Sequence, residues 1–156
     1  MDRVVFANLN MNSLPNKCST LVSNNVNVFV LEKTKIDESF SDGKFFIPGY
    51  KRPYRVDRDR NGGGIIVYVK EDIPSKLETH TAYGIEVISV EINLRKSKWL
   101  MVANYRPPSS SKLQYFNSLG NALDFFSKSY ENIVLLGDFN ITVEEEEISD
   151  FLVIMS

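Results

Sequence analysis

The chain has 156 residues, 43% of them apolar, which is enough to bury one sizeable core and excludes a compositionally disordered segment; one domain spanning 1–156 is expected. Eighteen basic and twenty acidic side chains leave a formal charge of −2, so a nucleic-acid surface would have to be a local patch. One cysteine, Cys18, and one histidine, His80, exclude disulfides, zinc clusters and Cys/His nucleophilic pairs, and no apolar run approaches the roughly 20 residues of a membrane span.

Along the chain, residues 3–8 form a short β-rich run, and residues 13–24 place Leu14, Cys18, Leu21 and Val22 at helical spacing with Ser13 as N-cap. Cys18 reads as a small buried hydrophobe in a reducing compartment. Residues 26–31 are a near-continuous apolar run, the pattern of a strand covered on both faces. An irregular region, 36–54, is punctuated by Asp42-Gly43 and Pro48-Gly49. Asn61-Gly62-Gly63-Gly64 precedes a strand at 65–69 and predicts a hairpin or bulge there. His80 falls in an expected loop, Glu78-Thr79-His80-Thr81.

Residues 86–93 and 99–104 alternate as two antiparallel strands about the basic turn Arg95-Lys96-Ser97-Lys98. Residues 112–130 carry Leu113, Phe116, Leu119, Leu123, Phe126 and Tyr130 on one helical stripe behind a Ser109-Ser110-Ser111 cap region. The acidic run 144–147, followed by Ile148, Phe151 and Leu152, predicts a further helix start.

The most informative stretch is Ile133-Val134-Leu135-Leu136-Gly137-Asp138-Phe139-Asn140, an apolar strand that stops at a glycine, a carboxylate and an amide separated by one aromatic. Asp138 could hold a hard cation or orient a water, and the Asn140 amide could donate to a phosphoryl oxygen without adding negative charge, with Phe139 turned away to pack. A plain Gly-Asp turn after a core strand is the alternative on local grounds.

Three further pieces accompany it in order: Leu9-Asn10-Met11-Asn12, Val30-Leu31-Glu32-Lys33-Thr34-Lys35 and Asn104-Tyr105-Arg106-Pro107-Pro108. With these, and with Asp57 to Gly64 ahead of the 65–69 strand, the chain resembles the endonuclease/exonuclease/phosphatase superfamily, specifically the DNase I-like endonuclease domain of LINE-type non-LTR retrotransposons. The resemblance implies an α/β (α+β) fold, a DNase I-like layered α/β sandwich with its C-terminal part missing. It implies Mg²⁺-assisted hydrolysis of DNA phosphodiesters in an intracellular setting, nucleus or cytoplasm, and a reverse-transcriptase region in the parent element. It assigns catalytic positions to Asn10, Tyr105, Asp138 and Asn140, with Asp138 also near the metal.

The chain departs from the family pattern in two places. Aligning Thr34-Lys35 with the family's Glu-Thr-Lys pattern puts Lys33 where a metal-binding glutamate belongs, and an ammonium carries donors only. Glu32 is adjacent, but successive strand side chains face opposite ways, so its use as a ligand would need a bulge or a one-residue slip. The family's closing Ser-Asp-His segment would lie beyond Ser156, and His80 cannot stand in for it. These departures predict a degenerate, inactive endonuclease domain. Arg52, Arg55 and Arg58, interleaved with Tyr54, are the candidate nucleic-acid contacts, with a solvated loop broken by Asp57 and Asp59 as the alternative. They leave open a non-catalytic nucleic-acid or protein-binding module, or a decayed gene fragment.

Overall fold

The computed structural model describes residues 4–10, 25–58, 62–82 and 84–140, apart from the side chains of Asn10 and residues 79–82. The expected helices at 13–24 and after 144, with Cys18, lie outside the described residues.

Two four-stranded sheets form the frame. In the first, β1 (Phe6–Asn10) runs parallel to β2 (Val28–Glu32), which pairs antiparallel with β4 (Ile65–Val69), and β3 (Tyr54–Val56) covers the far edge of β4. In the second, β5 (Ser75–Ala82), β6 (Ile85–Leu94) and β7 (Ser97–Tyr105) are antiparallel neighbours, and β8 (Asn132–Asp138) joins β7 in parallel. The crossover from β7 to β8 carries the helix α1 (Lys112–Ser127), as a parallel pair requires.

Period-2 alternation sorts the apolar side chains into three layers. Val28, Val30, Ile65 and Val67 face Ile88, Val90, Met101 and Ala103 between the sheets. On the outer face of the first sheet, Phe29, Leu31, Ile66 and Tyr68 are covered by Ile36, Phe45, Ile47 and Tyr50 from the irregular region, which contains one 3-10 turn at Asp42–Phe45. On the outer face of the second, Val87, Leu100, Val102 and Ile133 meet α1. β2 is thus covered on both sides, which is why its sequence shows no alternation.

Three expectations change in detail. The stretch containing His80 is backbone of β5, a polar edge strand with register shifts at Leu77/Thr79 and Thr79/Thr81; an edge facing water lacks the apolar alternation that marks a strand. The helix ends at Ser127, and its buried face is Tyr115, Leu119, Ala122 and Phe126, while Leu113 is exposed. Tyr115 sets this phase, because its ring is buried and its hydroxyl donates to the Asn104 side chain. Tyr130 sits beyond the helix and donates to Glu91 Oε2 at 2.8 Å.

Two further local signals are realised. Arg95 and Lys96 both take positive φ, 49° and 66°, in a two-residue hairpin turn whose twist suits the flanking strands. Ser111 caps α1 by accepting from Gln114 N. No helix among the described residues is long and apolar enough to cross a membrane.

Candidate active site

Parallel pairing within each sheet places two strand ends side by side, four in all. Asn10 and Glu32 are register partners at the C-terminal ends of β1 and β2, and Tyr105 and Asp138 are register partners at the ends of β7 and β8. The sheets are stitched together at this point: Glu32 Oε1 accepts the backbone N–H of Asp138 at 2.9 Å. Asn10 reaches the rim through its backbone position; its side chain lies outside the described residues.

Glu32 shares its parity with Val28 and Val30, so it points between the sheets toward Asp138. It is fully buried; the Asn8 side chain also interacts with the carboxylate, and among the described residues Oε2 has no partner within hydrogen-bond geometry. Burial, reinforced by the neighbouring Asp138 charge, pushes its pKa up to about 8.

This corrects the facing expected from sequence, in which Lys33 would occupy the site and Glu32 would point away. No bulge is needed, because β2 ends at Glu32 and Lys33 lies past the strand with φ 55°, where strand alternation no longer governs direction. Lys33 nevertheless reaches the same carboxylate: its Nζ is 3.4 Å from Asp138 Oδ2 and 5.8 Å from the centre of the Tyr105 ring.

Asp138 is held from the other side by the Asn140 backbone N–H, which donates to Oδ1 at 3.0 Å. This is an Asx turn, and Asn140 supports it at φ 50°, a conformation asparagine tolerates better than most residues. The Asn140 side-chain amide donates one hydrogen to the Arg106 carbonyl. Phe139 turns outward and stacks on Phe116 at 6.2 Å between centroids. Tyr105 is buried, and desolvation raises the pKa of its phenol.

Gly137 serves close approach. A Cβ there would lie 2.2 Å from the Asn104 carbonyl oxygen and 2.6 Å from Asn104 Nδ2. Asn104 is itself buried, donating to Leu136 O at 2.9 Å and accepting from Tyr115, so it ties β8, β7 and α1 together just below the rim.

Arg52, Arg55 and Arg58 do not act as one patch. The Arg55 guanidinium is bonded to Asp57, Asp42 and the carbonyls of Phe40 and Asp37, with its side chain only 12% exposed. It fastens the irregular region to β3, which leaves it unavailable to a phosphate backbone. Arg52 is exposed and pairs with Asp42. Arg58 lies beside the site, in a cleft of about 650 Å³ that it lines with Glu86, Tyr105 and Gln114. Arg55→Ala is therefore expected to cost about 2 kcal/mol of stability in urea unfolding, since it orphans several acceptors, and to leave DNA affinity unchanged.

Sequence reasoning passed over Arg106 and Asn104. Arg106 stands between Tyr105 and the proline pair, where an arginine ordinarily reads as a solvated loop cation, yet it is buried.

The chain has a DNase I-like layered α/β fold. It is similar to the endonuclease domain of TRAS1, a telomere-specific non-LTR retrotransposon, with TM-score 0.64 and 11% identity over 86% of this chain and 58% of that one. The human Nocturnin catalytic domain aligns with TM-score 0.62 and 10% identity over 85% of this chain and 58% of that one. An AP endonuclease from Archaeoglobus fulgidus aligns with TM-score 0.58 and 17% identity over 92% and 60% respectively. At such identities the likeness is one of fold, and the chain spans about three-fifths of the length of these structures. No family model and no curated protein matches the sequence.

Proposed function

We propose that the rim formed by Glu32, Asp138, Tyr105 and Asn140, with Asn10 beside Glu32, is a divalent-cation and phosphodiester site, and that the chain is a retroelement-type DNA endonuclease domain whose activity Lys33 attenuates. The observation that carries this reading is the Glu32 carboxylate bonded to the Asp138 backbone where the two sheet ends meet, close enough to feel the Asp138 charge, with a buried oxygen unpartnered among the described residues. An orphaned carboxylate oxygen beside a second carboxylate suits a hard cation, whose charge would offset the burial that now favours the protonated acid. Among the described residues no cluster of three or more ligating side chains forms, so such an ion would fill its shell with water and phosphate oxygens, as Mg²⁺ commonly does.

When bound, Mg²⁺ would polarise the phosphoryl oxygen and lower the pKa of a coordinated water. Glu32 and Asp138 would hold it. The second amide hydrogen of Asn140 and the Tyr105 hydroxyl are donors suited to phosphate oxygens that are not on the metal. Asn10 matches the family's first phosphate-side asparagine. DNA as substrate and an intracellular setting follow from the same reading, as does a reverse-transcriptase region in the parent element.

Lys33 competes with the cation for Asp138. Unit charges about 4 Å apart interact by roughly 4 kcal/mol at an effective dielectric of 20, and part of that must be given up before a metal can take the carboxylate. A Lys33→Met chain is expected to nick supercoiled plasmid at about one-tenth of the Mg²⁺ concentration that the native chain requires. Equal requirements would remove Lys33 as the attenuator. No nicking by folded native, Lys33→Met or Lys33→Glu protein at any Mg²⁺ concentration would overturn the endonuclease reading.

A further inference from the structure

Arg106 is 2% exposed, and its acceptors among the described residues are backbone carbonyls and one hydroxyl. Nε donates to Phe139 O at 2.6 Å, one terminal nitrogen to Asn140 O at 2.8 Å, and the other to Ser110 O at 2.7 Å, with longer approaches to Ser110 Oγ and Pro107 O. Its own backbone continues the pattern: the Arg106 N–H donates to Asp138 O at 2.9 Å, and the Arg106 carbonyl accepts from the Asn140 side chain. One residue therefore bonds to Asp138, Phe139 and Asn140 in succession.

A buried guanidinium is costly unless its donors are satisfied, and here the donors are spent on the turn that aims the candidate site. The fork ties the Phe139 and Asn140 carbonyls to that of Ser110, and together with the Arg106 N–H on Asp138 O this fixes the path of the chain from Asp138 to Asn140. That path sets the Asn140 N–H to Asp138 Oδ1 bond, and so the direction of the Asp138 carboxylate relative to Glu32. A lysine keeps the charge and loses the fork. We infer that Arg106 is a positioning residue for the site, clamping the 138–140 turn to the end of β7 so that Asp138 and Asn140 present their side chains together. This role rests on the metal and phosphate reading of the rim.

Arg106→Lys and Asp138→Asn chains, compared with native protein, test it with two readouts. Amide hydrogen exchange over 138–140 is expected to accelerate at least tenfold in Arg106→Lys, with exchange over 132–136 unchanged as the control that β8 stays folded. Mn²⁺ affinity, measured by titration calorimetry, is expected to fall about tenfold in Arg106→Lys and to be lost in Asp138→Asn. Unchanged exchange at 138–140 would overturn the clamp. Accelerated exchange with native Mn²⁺ affinity would also overturn the role, by reducing Arg106 to a structural tie. Loss of exchange protection throughout 132–136 would make Arg106 a stability residue and would count against it as well. A native chain that binds no Mn²⁺ would instead remove the reading beneath it, and so is distinguishable from failure of the clamp itself.

Discussion

In metal-free protein, Glu32→Gln is expected to abolish a loss of stability that the native chain suffers between pH 4.5 and pH 8. The folded state holds the Glu32 proton up to about pH 8, whereas the unfolded chain releases it near the ordinary value of 4.5. The folded pKa is the higher one, so the contribution is fully present below 4.5, declines as pH rises through the window and levels off above 8. Between pH 4.5 and 7 the decline attributable to this group is about 3 kcal/mol, at 1.36 kcal/mol for each pH unit. Other carboxylates work in the opposite sense: Arg52 and Arg55 hold Asp42 low, and Tyr130 with nearby lysines holds Glu91 low. The difference between native and Glu32→Gln curves in urea unfolding isolates Glu32. Parallel curves would mean that the carboxyl is not buried against Asp138.

Gly137→Ala is expected to cost about 3 kcal/mol or more, at the upper end of what inserting a methyl into a packed interior costs. Its Cβ would meet backbone oxygen and amide of Asn104 at separations that atoms do not adopt, and Asn104 cannot step aside without breaking its bonds to Leu136 and Tyr115. The parallel β7–β8 pair would have to part immediately before Asp138, so the site is expected to lose metal binding as the fold weakens. Thermal unfolding checks the first effect, and a midpoint within 2 °C of native would contradict the close approach; for a domain of this size 1 kcal/mol corresponds to a few degrees.

What the sequence made legible follows the physics of each element. The helix announced itself through a one-sided apolar stripe, and β6 and β7 through β-branched and other apolar runs on either side of a basic turn, although both strands are covered on both faces. Gly137-Asp138-Phe139-Asn140 was readable because a glycine and two polar residues break an apolar strand at a fixed point. The facing of Glu32 was not readable: β2 is buried on both sides, Val28 and Val30 look like Phe29 and Leu31, and nothing in the run tells which parity meets the second sheet. β5 escaped because an exposed edge strand needs no apolar alternation. Arg55 looked like a nucleic-acid contact because the acceptors that consume it, from residues 37 to 57, are assembled only by folding. Arg106 was hidden for the same reason, two of its acceptors lying 33 and 34 residues away at Phe139 and Asn140.

The central claim is that Glu32 and Asp138 jointly hold a divalent cation where the two sheets meet. Titration of Mg²⁺ into native and Glu32→Gln protein at pH 8, followed by calorimetry, tests it most directly. One ion is expected to bind the native chain, and affinity is expected to fall by at least tenfold in the variant while its fold persists. Equal affinities in the two proteins would contradict the account.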